Sequence, residues 1–111
     1  MKKETIINGN KLIDEFIGLK PVKTFGKYLI SQDHCMCSEE TEEKAMHGFA
    51  SIAKYNSSWD WLMPIVKKCY YKAEDIEAEE WCVRIQTAVV SDLNATYNEV
   101  IEFIKWYNEN K

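Results

Sequence analysis

The order of apolar and polar positions divides the chain into helical stripes and extended stretches. Leu12, Ile13, Phe16 and Ile17 recur at helical spacing. Asn8 or Asn10 is available as a cap before them, and Gly18 and Pro21 supply the stop, which predicts a short first helix. The run Lys27–Gln32 follows Gly26, is too short for a helix and is rich in strand formers, so a strand is expected there. Over residues 33–57 the pattern does not decide. Ala45, Met46, Phe49, Ile52 and Ala53 fit a helical stripe opening after Thr41, yet Gly48 weakens it and Phe49 to Tyr55 fits an extended segment as well.

Two further helices are written more strongly. Ser58 is placed as an N-cap and Asp60 lies in the first turn, where a negative charge complements the helix dipole. Trp59, Leu62, Ile65, Val66, Cys69, Tyr70 and Ala73 then form one broad apolar face. On this reading Trp59 is a core residue, and Trp61 and Tyr71 lie off the face. Pro64, at the sixth helical position, forfeits the bond to the Asp60 carbonyl and should kink or rewind the first turn. Between Trp81 and Val90 the residues Trp81, Val83, Ile85, Thr87 and Val89 alternate with Cys82, Arg84, Gln86, Ala88 and Val90, the two-residue period of a half-covered strand. Ser91 or Asp92 can cap a last helix whose stripe is Leu93, Tyr97, Val100, Ile101, Ile104 and Tyr107, with Phe103 at its flank and Trp106 on the acidic side. The sum is an α+β fold: a small β-sheet packed with two to three helices, an α/β sandwich, in a single domain over 1–111 with an acidic, Cys/His-containing segment at about 33–54.

Composition adds two constraints. An apolar fraction of 46% in 111 residues is enough for a core and too rich for a disordered chain. No apolar run approaches the ~20 residues that span a bilayer, and the N-terminus lacks the apolar stretch of a secretion signal. A soluble protein of a reducing cytoplasm is expected, with Cys35, Cys37, Cys69 and Cys82 as thiols. The net charge of -4 is unevenly distributed. Asp33, Glu39, Glu40, Glu42 and Glu43 form one acidic stretch, and Glu74, Asp75, Glu77, Glu79 and Glu80 form another. These ten carboxylates leave eight against fourteen Lys and Arg, so the rest of the chain carries +6. Such segments suit a basic partner or are simply solvated, and the overall sign argues against direct nucleic-acid binding.

Candidate chemistry is sparse. His34, Cys35, Cys37 and His47 offer the thiolate and imidazole ligands zinc prefers, but one Cys-x-Cys beside a His falls short of the paired knuckles of structural zinc sites. A Cys–His nucleophile would need a base and an oxyanion site that the sequence does not locate. The reading is therefore no enzyme, no cofactor and no metal, with those four residues as the weak metal candidates. Trp61, Tyr71 and Trp106, lying off the apolar faces, are the candidate anchors for a protein partner, because exposed Trp and Tyr are enriched in binding hot spots. Glu39, Glu40, Glu42, Glu43, Glu77, Glu79 and Glu80 are the candidate acidic contacts.

Asn10–Gly18, Tyr55–Lys68 and the segment from Ala95-Thr96-Tyr97 to Glu102–Asn108 together resemble small proteins of unknown function encoded by phages and prophages of Bacteroidetes, the phage ABA-sandwich domain group. The resemblance covers about half of the chain. It implies helices against a small sheet and a mobile-element setting, and it brings no catalytic residues. The expectation that follows is a non-enzymatic accessory protein that binds another protein, without membrane contact. One form is an anti-defence, anti-CRISPR-type inhibitor whose acidic segments occupy a basic nucleic-acid-binding surface of a host defence protein. A structural phage component that self-assembles into a homo-oligomer is the alternative, and a small zinc protein or enzyme stands behind both.

Overall fold

The computed structural model describes residues 2–32 and 35–110 and divides into two compact units, 1–53 and 54–111. It is an α+β structure, with five helices and one three-stranded antiparallel sheet among the described residues.

Unit 1 opens with α1, Lys3–Phe16, which ends where Gly18 takes a left-handed φ of 76° and the Leu19 amide donates to the Asp14 carbonyl at 2.9 Å. Strands β1 (Val22–Thr24), β2 (Lys27–Gln32) and β3 (Cys35–Glu39) follow as a meander in the order β1-β2-β3. The β1–β2 turn is only Phe25-Gly26, both with positive φ (52° and 80°). That is the geometry of a two-residue hairpin turn, in which glycine is relaxed and a bulky side chain is strained. Phe25 is fully exposed there. Helix α2, Glu42–Ile52, is capped by Thr41, whose hydroxyl accepts from the Lys44 amide at 3.2 Å.

Helix α2 packs on α1, β2 and β3. Its approach to the sheet is close at Gly48, where a Cβ would lie 2.5 Å from the Cys37 sulfur. Ile13, Ile30, Ala45, Phe49 and Ala50 are fully buried. Asn10, also fully buried, donates its amide to the carbonyls of Ala50 at 2.9 Å and Ala53 at 3.3 Å, so a residue of α1 satisfies the open C-terminal end of α2.

Unit 2 consists of α3 (Trp59–Asp75), α4 (Glu79–Ser91) and α5 (Leu93–Asn110), each packed on the other two. Helix α3 runs through Pro64 without a break, and its first turn is tightened, with the amides of both Trp61 (3.2 Å) and Leu62 (3.0 Å) donating to the Ser58 carbonyl. Glu77 in the short α3–α4 turn has a φ of 57°, and the Ala78 amide donates back to the Ala73 carbonyl at 2.8 Å. Asp92 caps α5, its Oδ1 accepting from the Ala95 amide at 2.6 Å.

Several expectations change. The segment 81–90 is a helix, not a strand: Trp81, Ile85 and Ala88 are buried at i, i+4 and i+7, which is the helical period. With α2 also formed, there are five helices rather than two to three. The first helix starts at Lys3, so neither Asn8 nor Asn10 is its cap. The tryptophans exchange roles. Trp61 is 8% exposed and Trp59 is 38% exposed, because Trp61 falls one and two turns before Ile65 and Cys69 and meets the buried Tyr55 ring edge-on at 5.3 Å. Phe103 lies fully in the core instead of at its flank.

Candidate protein-binding face

Helix α4 carries more apolar residues than its buried stripe needs. Trp81, Ile85 and Ala88 face inward, yet Val83 is 61% and Val90 88% exposed. On α3 the exposed side runs Lys67, Tyr71, Asp75 at four-residue spacing, with Tyr71 62% exposed. Between these two edges lies an open groove of about 540 Å³, lined chiefly by Val66, Tyr70, Tyr71, Ile85, Val89 and Val90. Among the described residues that line it, Lys67 alone is charged. The Gln86 amide donates to the Tyr70 hydroxyl at 3.1 Å, a tie across the two helices.

One helical turn beyond the groove, the α3–α4 turn presents Glu74, Asp75, Glu77, Glu79 and Glu80, all exposed. The arrangement is an apolar trough continued at one end by five carboxylates. An acidic end of this kind attracts and orients a basic partner, while the apolar trough supplies contact area.

The groove's outer walls are set by the packing behind them. Trp81 meets Phe103 edge-on at 5.6 Å and lies tilted against Trp106 at 5.7 Å, and Phe103 stacks on Tyr107 at 6.0 Å. The Arg84 guanidinium sits 3.9 Å over the Trp81 ring and forms a two-point ion pair with Glu99, Nε to Oε2 at 3.0 Å and Nη2 to Oε1 at 3.2 Å. These contacts fix the rotation of α4 about its axis and so turn Val83 and Val90 outward.

Of the predicted anchors, Tyr71 alone stands well out from the surface. Trp61 belongs to the core and Trp106 is half-buried within the aromatic cluster. The predicted acids separate. Glu77, Glu79 and Glu80 lie in and just after the exposed α3–α4 turn, outside the lining of the groove, whereas Glu39, Glu42 and Glu43 line two hollows of unit 1 of about 630 and 570 Å³ that Lys11, Lys20 and Lys44 also line; Glu40 is exposed nearby in sequence. The sequence pattern assigns Val83, Val89 and Val90 to a strand and not to a contact surface. Their signal is an apolar residue at a helix position outside the buried stripe.

His34 lies outside the described residues. Cys35 and Cys37 share one side of β3, His47 is exposed on α2, and among the described residues no three or more His, Cys, Asp or Glu side chains are grouped to hold a metal. Burial pushes the Cys69 thiol up to about 12. Cys37 is raised by burial and then by Glu39, and Cys82 by burial and then by Glu74 and Glu79. All three are shifted away from the thiolate a nucleophile requires. Among the described residues no helix is long and apolar enough to cross a membrane. No protein family, curated protein or solved structure matches the chain.

Proposed function

We propose that this chain is a non-enzymatic accessory protein of a phage or mobile element that works by binding another protein through the α3–α4 face of unit 2. The observation that carries the binding mode is the exposure of Tyr71 and Val90 at an apolar groove beside an acidic turn, with Val83 exposed on the same helix outside the groove's lining. Exposed apolar surface next to concentrated charge is costly to display and is what interfaces use. The mobile-element setting rests on the resemblance of residues 10–18, 55–68 and 95–108 to phage proteins, and the sandwich layering which that resemblance implies is part of the same reading.

The form that fits the setting is an anti-defence inhibitor whose acidic turn covers a basic surface of a host nucleic-acid-binding protein. Its test is a phage-interference assay in cells carrying an RNA-guided nuclease, comparing the wild-type chain with Tyr71→Ala/Val90→Glu and with Glu79→Lys/Glu80→Lys. Loss of protection in both variants, with unchanged thermal melting, supports the reading. Full protection by both removes the α3–α4 face from it. Self-assembly through Trp106 is less favoured, since that ring already packs on Trp81 and Phe103.

A further inference from the structure

Resting on the reading that the α3–α4 face binds a protein, we infer that its occupant is a single amphipathic helix, apolar along one stripe and basic at one end. The first argument is geometric. Helices α3 and α4 are joined by a short turn, α5 packs against both, and the groove of about 540 Å³ is left open beside them. Helices pack by laying side-chain ridges into grooves of this kind, with axes about 8–10 Å apart. A trough between two helices therefore fits one more helix better than it fits a strand or a flat surface.

The second argument is the placement of charge and apolar groups along the trough. On α4, from the acidic end, Glu79 is followed by Val83, Gln86 and Val90 at helical spacing, and the eleven steps from Glu79 to Val90 span roughly 16 Å. A partner helix of about 12 residues covers that length. Its apolar stripe would meet Tyr71, Val83 and Val90, and its basic end would lie over Glu74, Asp75 and Glu79. Polarity is thus built into the site, because the opposite end offers Lys67 and no comparable cluster of carboxylates.

A second copy of the chain is the rival occupant, since a twofold axis would place Lys67 of each molecule near the other's acidic turn. The charges balance poorly in that case. Each turn carries five carboxylates, while toward the far end α3 carries Lys67 and Lys68 with Asp60 in its first turn, and Asp92 caps the start of α5. A separate basic helix neutralises the turn, and a twofold mate does not.

The experiment is direct binding of the full chain to three synthetic helical peptides sharing one apolar stripe, measured by fluorescence anisotropy of a peptide label. The first carries lysines at its N-terminal end, the second at its C-terminal end, and the third has glutamates in their place. One of the two lysine peptides is expected to bind at least 10-fold tighter than the other and than the glutamate peptide, with the margin shrinking as salt is raised. Tyr71→Ala should weaken that peptide by about 30-fold, the effect of losing a hot-spot aromatic. Glu79→Lys/Glu80→Lys should transfer the preference to the glutamate peptide.

Indifference of the three peptides to charge, or equal binding by the Tyr71 variant, overturns the inference. So does concentration-dependent dimerisation in sedimentation that Val90→Glu abolishes, which would assign the face to a second copy. If the peptides fail while Tyr71→Ala/Val90→Glu still loses protection in cells, the face binds a protein of another shape and the functional reading survives without this refinement.

Discussion

Gly48→Ala is expected to destabilise the protein in the native background and to stabilise it once Cys37 is alanine. Replacing a glycine inside a helix by alanine ordinarily gains about 1 kcal/mol, because the unfolded chain loses freedom and the helix is favoured. Here the new methyl carbon would lie 2.5 Å from the Cys37 sulfur, about 1 Å inside an ordinary contact. Either α2 lifts from β3 or Cys37 leaves its rotamer, and over-packing of this kind costs roughly 1–3 kcal/mol. The net expectation is a loss of about 1 kcal/mol. In the Cys37→Ala background the nearest remaining atom is the residue-37 Cβ at 3.9 Å, an ordinary contact, so Gly48→Ala should then gain about 1 kcal/mol. The quantity to measure is the coupling energy, expected near 2 kcal/mol, from urea unfolding of the four proteins in a double-mutant cycle. Far-UV circular dichroism is the suitable probe, because all four tryptophans lie in unit 2 and their fluorescence serves as the control. Coupling near zero, with Gly48→Ala stabilising in both backgrounds, would refute the claim that this glycine sets the spacing between α2 and the sheet.

Three other outcomes follow from the geometry. Asn10→Ala should cost about 1–3 kcal/mol in urea unfolding, since two buried carbonyls at the end of α2 lose their donor. Phe25→Asn should raise stability by about 1 kcal/mol, because asparagine tolerates the left-handed φ of 52° that strains phenylalanine, and a fully exposed ring gives nothing back within the monomer; an unchanged melting curve would count against the strain. Cys69 gives an alkaline dependence. Its folded pKa of about 12 lies above the unfolded value of 9.0, so its contribution is complete below pH 9 and declines as pH rises toward 12, by up to about 1.4 kcal/mol per pH unit. Urea midpoints from pH 8 to 10.5 should therefore fall more steeply in the native chain than in Cys69→Ala, and parallel slopes would sink the assignment.

What the sequence made legible depended on whether one residue answered to one structural demand. Strand β2 was readable over its whole length, since Gly26 punctuates a short run of strand formers. The helix beginning after Thr41 was readable as one of two alternatives, and its cap decided the matter in the structure. Asn10 was misread because asparagine normally caps its own helix, while here its side chain crosses to the end of another. Strand β3 gave little signal, for Cys-Met-Cys-Ser-Glu contains no β-branched residue and no fully buried position. Tyr71 and the acids of the α3–α4 turn were legible as candidate contacts, but not the groove that joins them, which required knowing that 81–90 is a helix.

That last error has a physical origin that bears on the site. A helix serving only its own core shows apolar residues at i, i+4 and i+7, and Trp81, Ile85 and Ala88 satisfy that pattern in α4. Val83 and Val89 are apolar at positions the stripe leaves open, and with Trp81, Ile85 and Thr87 they complete a false two-residue alternation. The residues that disguise the helix are thus among those it displays outward. Their direction is imposed from behind: with Arg84 held over Trp81 and paired to Glu99, rotating α4 to hide Val83 or Val90 would break the ion pair and expose the indole. Where local pattern and fold disagree, a second demand on the same residues is the expected cause. In this chain the demand falls on one helix edge, beside an acidic turn, and the packing that holds it outward belongs to the core.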